Sequence, residues 1–103
     1  MDPTMEIPVL VEIEYCGGWG YGPRYEELAA LIKQKIPEAQ IFGIVGRTTS
    51  FEVKVNDTVI HSKLSTMAFP DFDEVVAIVQ ETATKGTEPT KVTKTESNFC
   101  NIL

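Results

Sequence analysis

The residues of this sequence best suited to chemistry stand together near the N-terminus: Cys16-Gly17-Gly18-Trp19-Gly20-Tyr21-Gly22, followed by Pro23-Arg24-Tyr25. A cysteine attacks a disulfide only as its thiolate, and the backbone N–H groups of a helix N-terminus favour that anion. Cys16 would close a buried strand and precede glycines and then a helix, a placement that suits thiol exchange. The competing reading of Cys16 is a small buried hydrophobe at a strand end. Phosphate binding is disfavoured, because the loop lacks both the lysine of a GxxxxGK(S/T) loop and the full GxGxxG pattern.

Other reactive residues are scattered. Cys16 and Cys100 are the two cysteines, far apart and in no CxxC pair, which suits a reducing compartment better than a disulfide scaffold. His61 is the single histidine, so no spacing for a zinc site exists and no metal is expected. His61 could shuttle protons to Cys16. By strand alternation it shares a face with Val59, which favours a packed or surface histidine. Ser62 and Lys63 have no partner acid or base and read as solvated. Tyr21 and Tyr25 read as packing residues beside the loop, while Met67 and Phe69 could form an apolar rim near it. Trp19, Tyr21, Met67 and Phe69 are therefore the expected partner-binding residues.

The elements that position Cys16 follow from hydrophobic period. Val9, Val11, Ile13 and Tyr15 alternate with Leu10, Glu12 and Glu14 as in a strand with one buried face. Four glycines in the seven residues from Cys16 to Gly22 interrupt regular structure. Tyr25, Leu28, Ala29, Ile32 and Ile36 then recur at helical spacing, with Pro23 near the start and Pro37 at the end. Residues 39–45 read as a second strand, parallel to the first because a helix crosses between them. Phe51 to Val55 and Thr58 to Lys63 flank Asn56-Asp57 as a hairpin. A last helix begins near Asp71 and buries Phe72, Val75, Val76, Val79 and Ala83. The order β-α-β-β-β-α predicts an α/β fold, thioredoxin-like, with two helices on one face of a four-stranded mixed sheet.

Composition limits partners and place. The chain of 103 residues is long enough for one domain, expected over 1–84. Its Thr, Lys, Glu and Pro content beyond residue 84 predicts a flexible tail over 85–103. A net charge of −6 with dispersed lysines makes nucleic acid an unfavourable partner. The longest apolar run, Ile7 to Val11, is broken by Pro8 and falls far short of a bilayer span, and residues 1–6 lack a basic signal-peptide region. A cytoplasmic location is expected. Cys100-Asn101-Ile102-Leu103 fits a C-a-a-X box with leucine, which favours geranylgeranylation of Cys100. A single prenyl chain without a polybasic neighbour anchors weakly and reversibly.

Cys16-Gly17-Gly18-Trp19-Gly20-Tyr21-Gly22-Pro23-Arg24-Tyr25 resembles the redox segment of the selenoprotein W family. There Cys-x-x-selenocysteine or Cys-x-x-Cys precedes Gly-Tyr-x-Pro-Lys/Arg-Tyr. Phe51-Glu52-Val53-Lys54-Val55 and Val59-Ile60-His61-Ser62-Lys63 resemble the family's hairpin, and the likeness covers roughly residues 8–84. Phe69-Pro70 and the terminal Cys100 box are similar to the prenylated migration and invasion enhancer branch. The resemblance implies a thiol or selenol redox protein exchanging with glutathione or protein thiols, with no bound cofactor, and 14-3-3 proteins as partners. By it Cys16 and position 19 are the catalytic positions and Gly17, Gly18 and Gly20 the redox loop.

Position 19 departs from that pattern. Trp19 stands where the family has selenocysteine or a second cysteine, and an indole cannot resolve a mixed disulfide. A two-residue dithiol cycle is closed to this chain. UGA encodes selenocysteine and UGG tryptophan, so one base separates this sequence from a selenium-containing one. The alternative is a redox-inactive adaptor that binds a protein through the Cys16–Tyr21 loop, with Trp19 as the interface aromatic.

Overall fold

The computed structural model describes residues 8–96. Strand β1 (Leu10–Tyr15) lies at the centre of the sheet, where Val11 and Ile13 are fully buried between half-buried glutamates. Helix α1 (Tyr21–Lys35) carries the chain across to β2 (Gln40–Val45), which pairs parallel to β1. Strands β3 (Phe51–Val55) and β4 (Thr58–Ser62) complete a sheet of order β2-β1-β3-β4, both added antiparallel. A one-turn helix α2 (Lys63–Thr66), absent from the sequence-based order, leads to α3 (Phe72–Lys85). The architecture is the expected thioredoxin-like α/β fold.

Local chemistry explains these boundaries. Asn56 and Asp57 both have positive φ, 49° and 72°, as the tight turn of a twisted hairpin requires. Asn56 also holds β1, since its Oδ1 accepts from the Leu10 N–H at 2.9 Å and its own N–H donates to the Leu10 carbonyl at 2.9 Å. Asp71 caps α3 by accepting from the Asp73 and Glu74 N–H groups, a contact whose removal ordinarily costs about 1 kcal/mol. The core forms where Leu28 and Ile32 of α1 and Phe72, Val75 and Val79 of α3 meet the sheet face carrying Val11, Ile13, Val53 and Val55.

Two regions differ from the sequence reading. Simple alternation fails in β4, where a register shift opposite Val53 and Lys54 inserts an extra residue. Ile60 and His61 consequently both turn inward while Val59 points out, so His61 does not share the face of Val59. The second difference is the expected tail, whose residues up to 96 are attached. The Val92 N–H donates to the Ile60 carbonyl, Asp71 N–H to Lys94, and Glu96 N–H to Phe69, each at 2.9 Å. Thr95 forms an antiparallel bridge with Pro70. Glu74 accepts from the Thr93 N–H and hydroxyl and the Lys94 N–H at 2.7–3.0 Å. Residues 92–96 thus form a strap held by polar main-chain bonds, which leave no hydropathy pattern in a sequence.

Candidate functional site

Cys16 follows β1 directly, and its N–H donates to the Ser50 carbonyl at 3.0 Å. That bond ties the start of the loop to the residue preceding β3. The Gly18 N–H points at Cys16 Sγ across 3.5 Å, a weak contact for sulfur but one that strengthens if the sulfur carries charge. Cys16 is 4% exposed, so its sulfur is covered in this conformation, as the reading of a small buried hydrophobe at a strand end requires. The chain then passes through Trp19 at φ 54° and Gly20 at φ 80°, both left-handed, and the Tyr21 N–H closes the turn on the Gly18 carbonyl at 3.2 Å. Gly20 suits that conformation, whereas Trp19 adopts it at a steric cost. Helix α1 begins without a side-chain cap.

Trp19 projects from the loop with 77% of its surface exposed. It cannot take part in exchange, since an indole N–H can donate a hydrogen bond but cannot exchange sulfur. The Gly17 backbone approaches Val45, where a Cβ would lie 3.0 Å from Cγ1. Gly18 has open space around the corresponding position. The loop is therefore crowded at its start and free at its middle.

The residues expected to bind partners divide. Tyr21 and Phe69 pack against each other with ring centroids 5.2 Å apart, and Phe69 also contacts Phe51 at 5.0 Å. Phe69 is thus part of the wall that supports the loop rather than an exposed rim. Met67, left-handed at φ 66°, is 81% exposed. Lys63 places its ammonium over both the Tyr21 and Phe69 rings, at 5.4 and 5.6 Å. Tyr25 stacks on Tyr15 at 4.8 Å and takes the space above Gly43, where a Cβ would collide with its ring. Burial raises the Tyr25 hydroxyl pKa, and Glu26 adds to the effect.

Arg24 joins this wall, a role no sequence signal connected to the strap. Its guanidinium lies 4.6 Å from the Phe69 centroid and 4.5 Å from that of Phe72, and it grips both carboxylate oxygens of Glu96. The bond to Glu96 raises the Arg24 pKa further. The last described residue of the strap is therefore fastened to the first turns of the helix that follows the cysteine loop.

His61 is held by the connection that follows β4. One ring nitrogen, Nε2, lies 2.8 Å from the Ala68 carbonyl, which burial and this contact together make a structural arrangement. Burial lowers its pKa and outweighs the opposing effects of the Ala68 carbonyl and Glu52. At the end of the sheet where Cys16 leaves β1, Arg47 binds Glu14 through side chain and backbone and holds its carboxyl at about 2. No group of three or more metal-ligating side chains occurs among the described residues, and no described helix is long and apolar enough to cross a membrane. Cys100 lies outside the described residues.

A four-stranded thioredoxin-like sheet with a cysteine loop between β1 and α1 defines the class, and a sequence model of the Rdx family matches residues 10–81. The chain belongs to the Rdx family. It is 30% identical to migration and invasion enhancer 1 of Bos taurus over 95 residues, covering 92% of this chain and 81% of that protein. It is 36% identical to selenoprotein W of Gallus gallus over 81 residues, covering 72% and 95%. Among solved structures, the selenoprotein W-related protein from Vibrio cholerae superposes with a TM-score of 0.67 at 18% identity, over 73% of this chain and 96% of that one. The selenoprotein W relatives imply selenocysteine in members of the family.

Proposed function

We propose that the protein exchanges thiols through Cys16, forming mixed disulfides with glutathione or with protein cysteines, and that it does so without a Cys-x-x-Cys cycle. The observation that carries this reading is the loop itself: a thiol at the end of the central strand with the Gly18 N–H directed at its sulfur. Trp19 occupies the position at which relatives named selenoprotein W supply the second reactive group, so a mixed disulfide formed here outlasts that step. The protein acts in the cytoplasm, and a prenyl group on Cys100 would add weak membrane association.

Replacing Trp19 by cysteine tests the loop. The Trp19→Cys variant is expected to form, on oxidation, a disulfide between Cys16 and the introduced thiol, detected by peptide mass mapping, and to be reduced by an external thiol system. A variant that forms no bridge, or bridges without gaining exchange activity over the parent chain, would remove the redox reading.

A second reading is favoured by the exposure of Trp19 and Met67 on left-handed backbone. In it the loop is a non-catalytic protein-binding surface with Trp19 as anchor, and the family resemblance makes 14-3-3 proteins the partners to try first.

A further inference from the structure

The two edges of the sheet are protected unequally. Strand β4 carries the register shift opposite Val53 and Lys54, and the strap runs beside it, with the Val92 N–H on the Ile60 carbonyl and the Lys91 ammonium 3.4 Å from the Val59 carbonyl. A bulge, a charged side chain and a covering segment are devices that keep an edge strand from pairing with another chain. Strand β2, at the opposite edge, has none of them among the described residues. Its sequence, Gln40-Ile41-Phe42-Gly43-Ile44-Val45, holds no charge and no proline in a chain of net charge −6. Phe42, Ile44 and Val45 are each more than half exposed.

The bonds to β1 identify which groups of β2 are spare. The Gln40 N–H donates to the Val9 carbonyl and the Gly46 N–H to the Tyr15 carbonyl, so in this parallel pair the even-numbered residues of β2 bond to β1. Ile41, Gly43 and Val45 therefore turn their N–H and C=O groups outward, three donors and three acceptors on an uncharged edge. An antiparallel copy of the same strand, centred on Gly43, meets all of them. In that register Gly43 pairs with Gly43 of the second copy and Ile41 with Val45, each pair exchanging both bonds. The Tyr25 ring covers Gly43 on the helix side, so Phe42 and Ile44 lie on the other face, where each falls opposite the other across the junction. Glu38 and Arg47 bracket the strand; Glu38 is exposed, and Arg47 stays mostly exposed while it holds Glu14. Antiparallel pairing sets the acid of each copy beside the base of the other.

We infer that two copies of the chain pair through β2, antiparallel about a two-fold axis at Gly43, into one continuous sheet with four strands from each. Such an interface uses the same patch on both copies and closes on itself. Growth stops at two because the outer edges are then the bulged and strapped β4 strands.

The test measures the mass of the full 103-residue chain, kept reduced, by sedimentation equilibrium over a range of concentrations. The parent is expected to pass from one chain mass to two. Ile44→Lys sets a charge in the apolar pair, and Val45→Pro removes an outward donor without touching a bond to β1. Each should raise the dissociation constant at least roughly tenfold while its far-UV circular dichroism stays that of the parent, and if one variant fails to fold the other decides. Phe42→Cys chains mixed with Ile44→Cys chains and oxidised should yield a disulfide between positions 42 and 44 of different copies, found by peptide mass mapping. A parent that stays monomeric at millimolar concentration, a dimer that the folded variants leave intact, growth beyond two chains, or a dimer whose oxidised mixture lacks the 42–44 link overturns the inference.

Discussion

The cysteine loop and the strap meet at the start of α1, and they are built on opposite terms. The loop, with its distinctive residues, is held by few bonds: Cys16 N–H to Ser50, Tyr21 N–H to Gly18, and the contact of the Gly18 N–H with sulfur. The strap, of unremarkable composition, is bound at Val92, Thr93, Lys94, Thr95 and Glu96 in succession. Order in this molecule therefore follows hydrogen-bond partners more closely than hydropathy. A segment suited to chemistry is held by few bonds, while an apparently featureless one secures the wall behind it.

Removing the strap should break this contrast most severely. A chain ending at Gly86 is expected to lose about 2 kcal/mol in urea unfolding, because several bonds worth about 1 kcal/mol each disappear and the Phe69 wall is uncovered. Stability within about 0.5 kcal/mol of the parent would mean that the strap is only resting on the domain. A smaller effect is expected at Glu74. Burial pushes its carboxyl up, but the bonds from Thr93 and Lys94 prevail and its pKa is lowered. Its contribution is present above the ordinary carboxylate pKa and fades as the pH falls below that value. Glu74→Gln should cost about 1 kcal/mol at pH 7 and flatten the acid limb of stability against pH. An unchanged acid limb would place the strap's anchorage elsewhere. The smallest effect belongs to the loop: Trp19→Ala should alter unfolding stability by less than about 0.5 kcal/mol, as for a surface position. A larger loss would show that Trp19 supports the fold, and the contrast would fail on that side.

Much of the architecture was legible because it is written in periods. The alternation from Val9 to Tyr15, the helical spacing from Tyr25 to Ile36 and the Asn56-Asp57 turn each specify an element with little help from the rest of the chain. The inward turn of His61 was hidden because a bulge is a property of two paired strands, and the residues of β4 alone do not mark it. Burial of Cys16 was open from sequence, since strand-end cysteines are equally suited to packing and to exchange. The Arg24–Glu96 clamp spans 72 positions and pairs two common charged residues, so nothing in their local spacing singles them out. Phe69 showed its hydrophobicity in sequence but not its direction, which depends on Tyr21, Phe51 and Arg24 arriving from other parts of the chain.

The projection of Trp19 also settles what light can report about this protein. It is the chain's single tryptophan and is 77% exposed in the folded state. Its indole already samples a water-like environment before any denaturant is added. Emission from it is consequently a poor witness to collapse of the core, which lies beneath other side chains. The same ring becomes a sensitive witness to whatever touches the cysteine loop, because any contact there replaces water with a less polar neighbour and shifts the colour without the fold having changed.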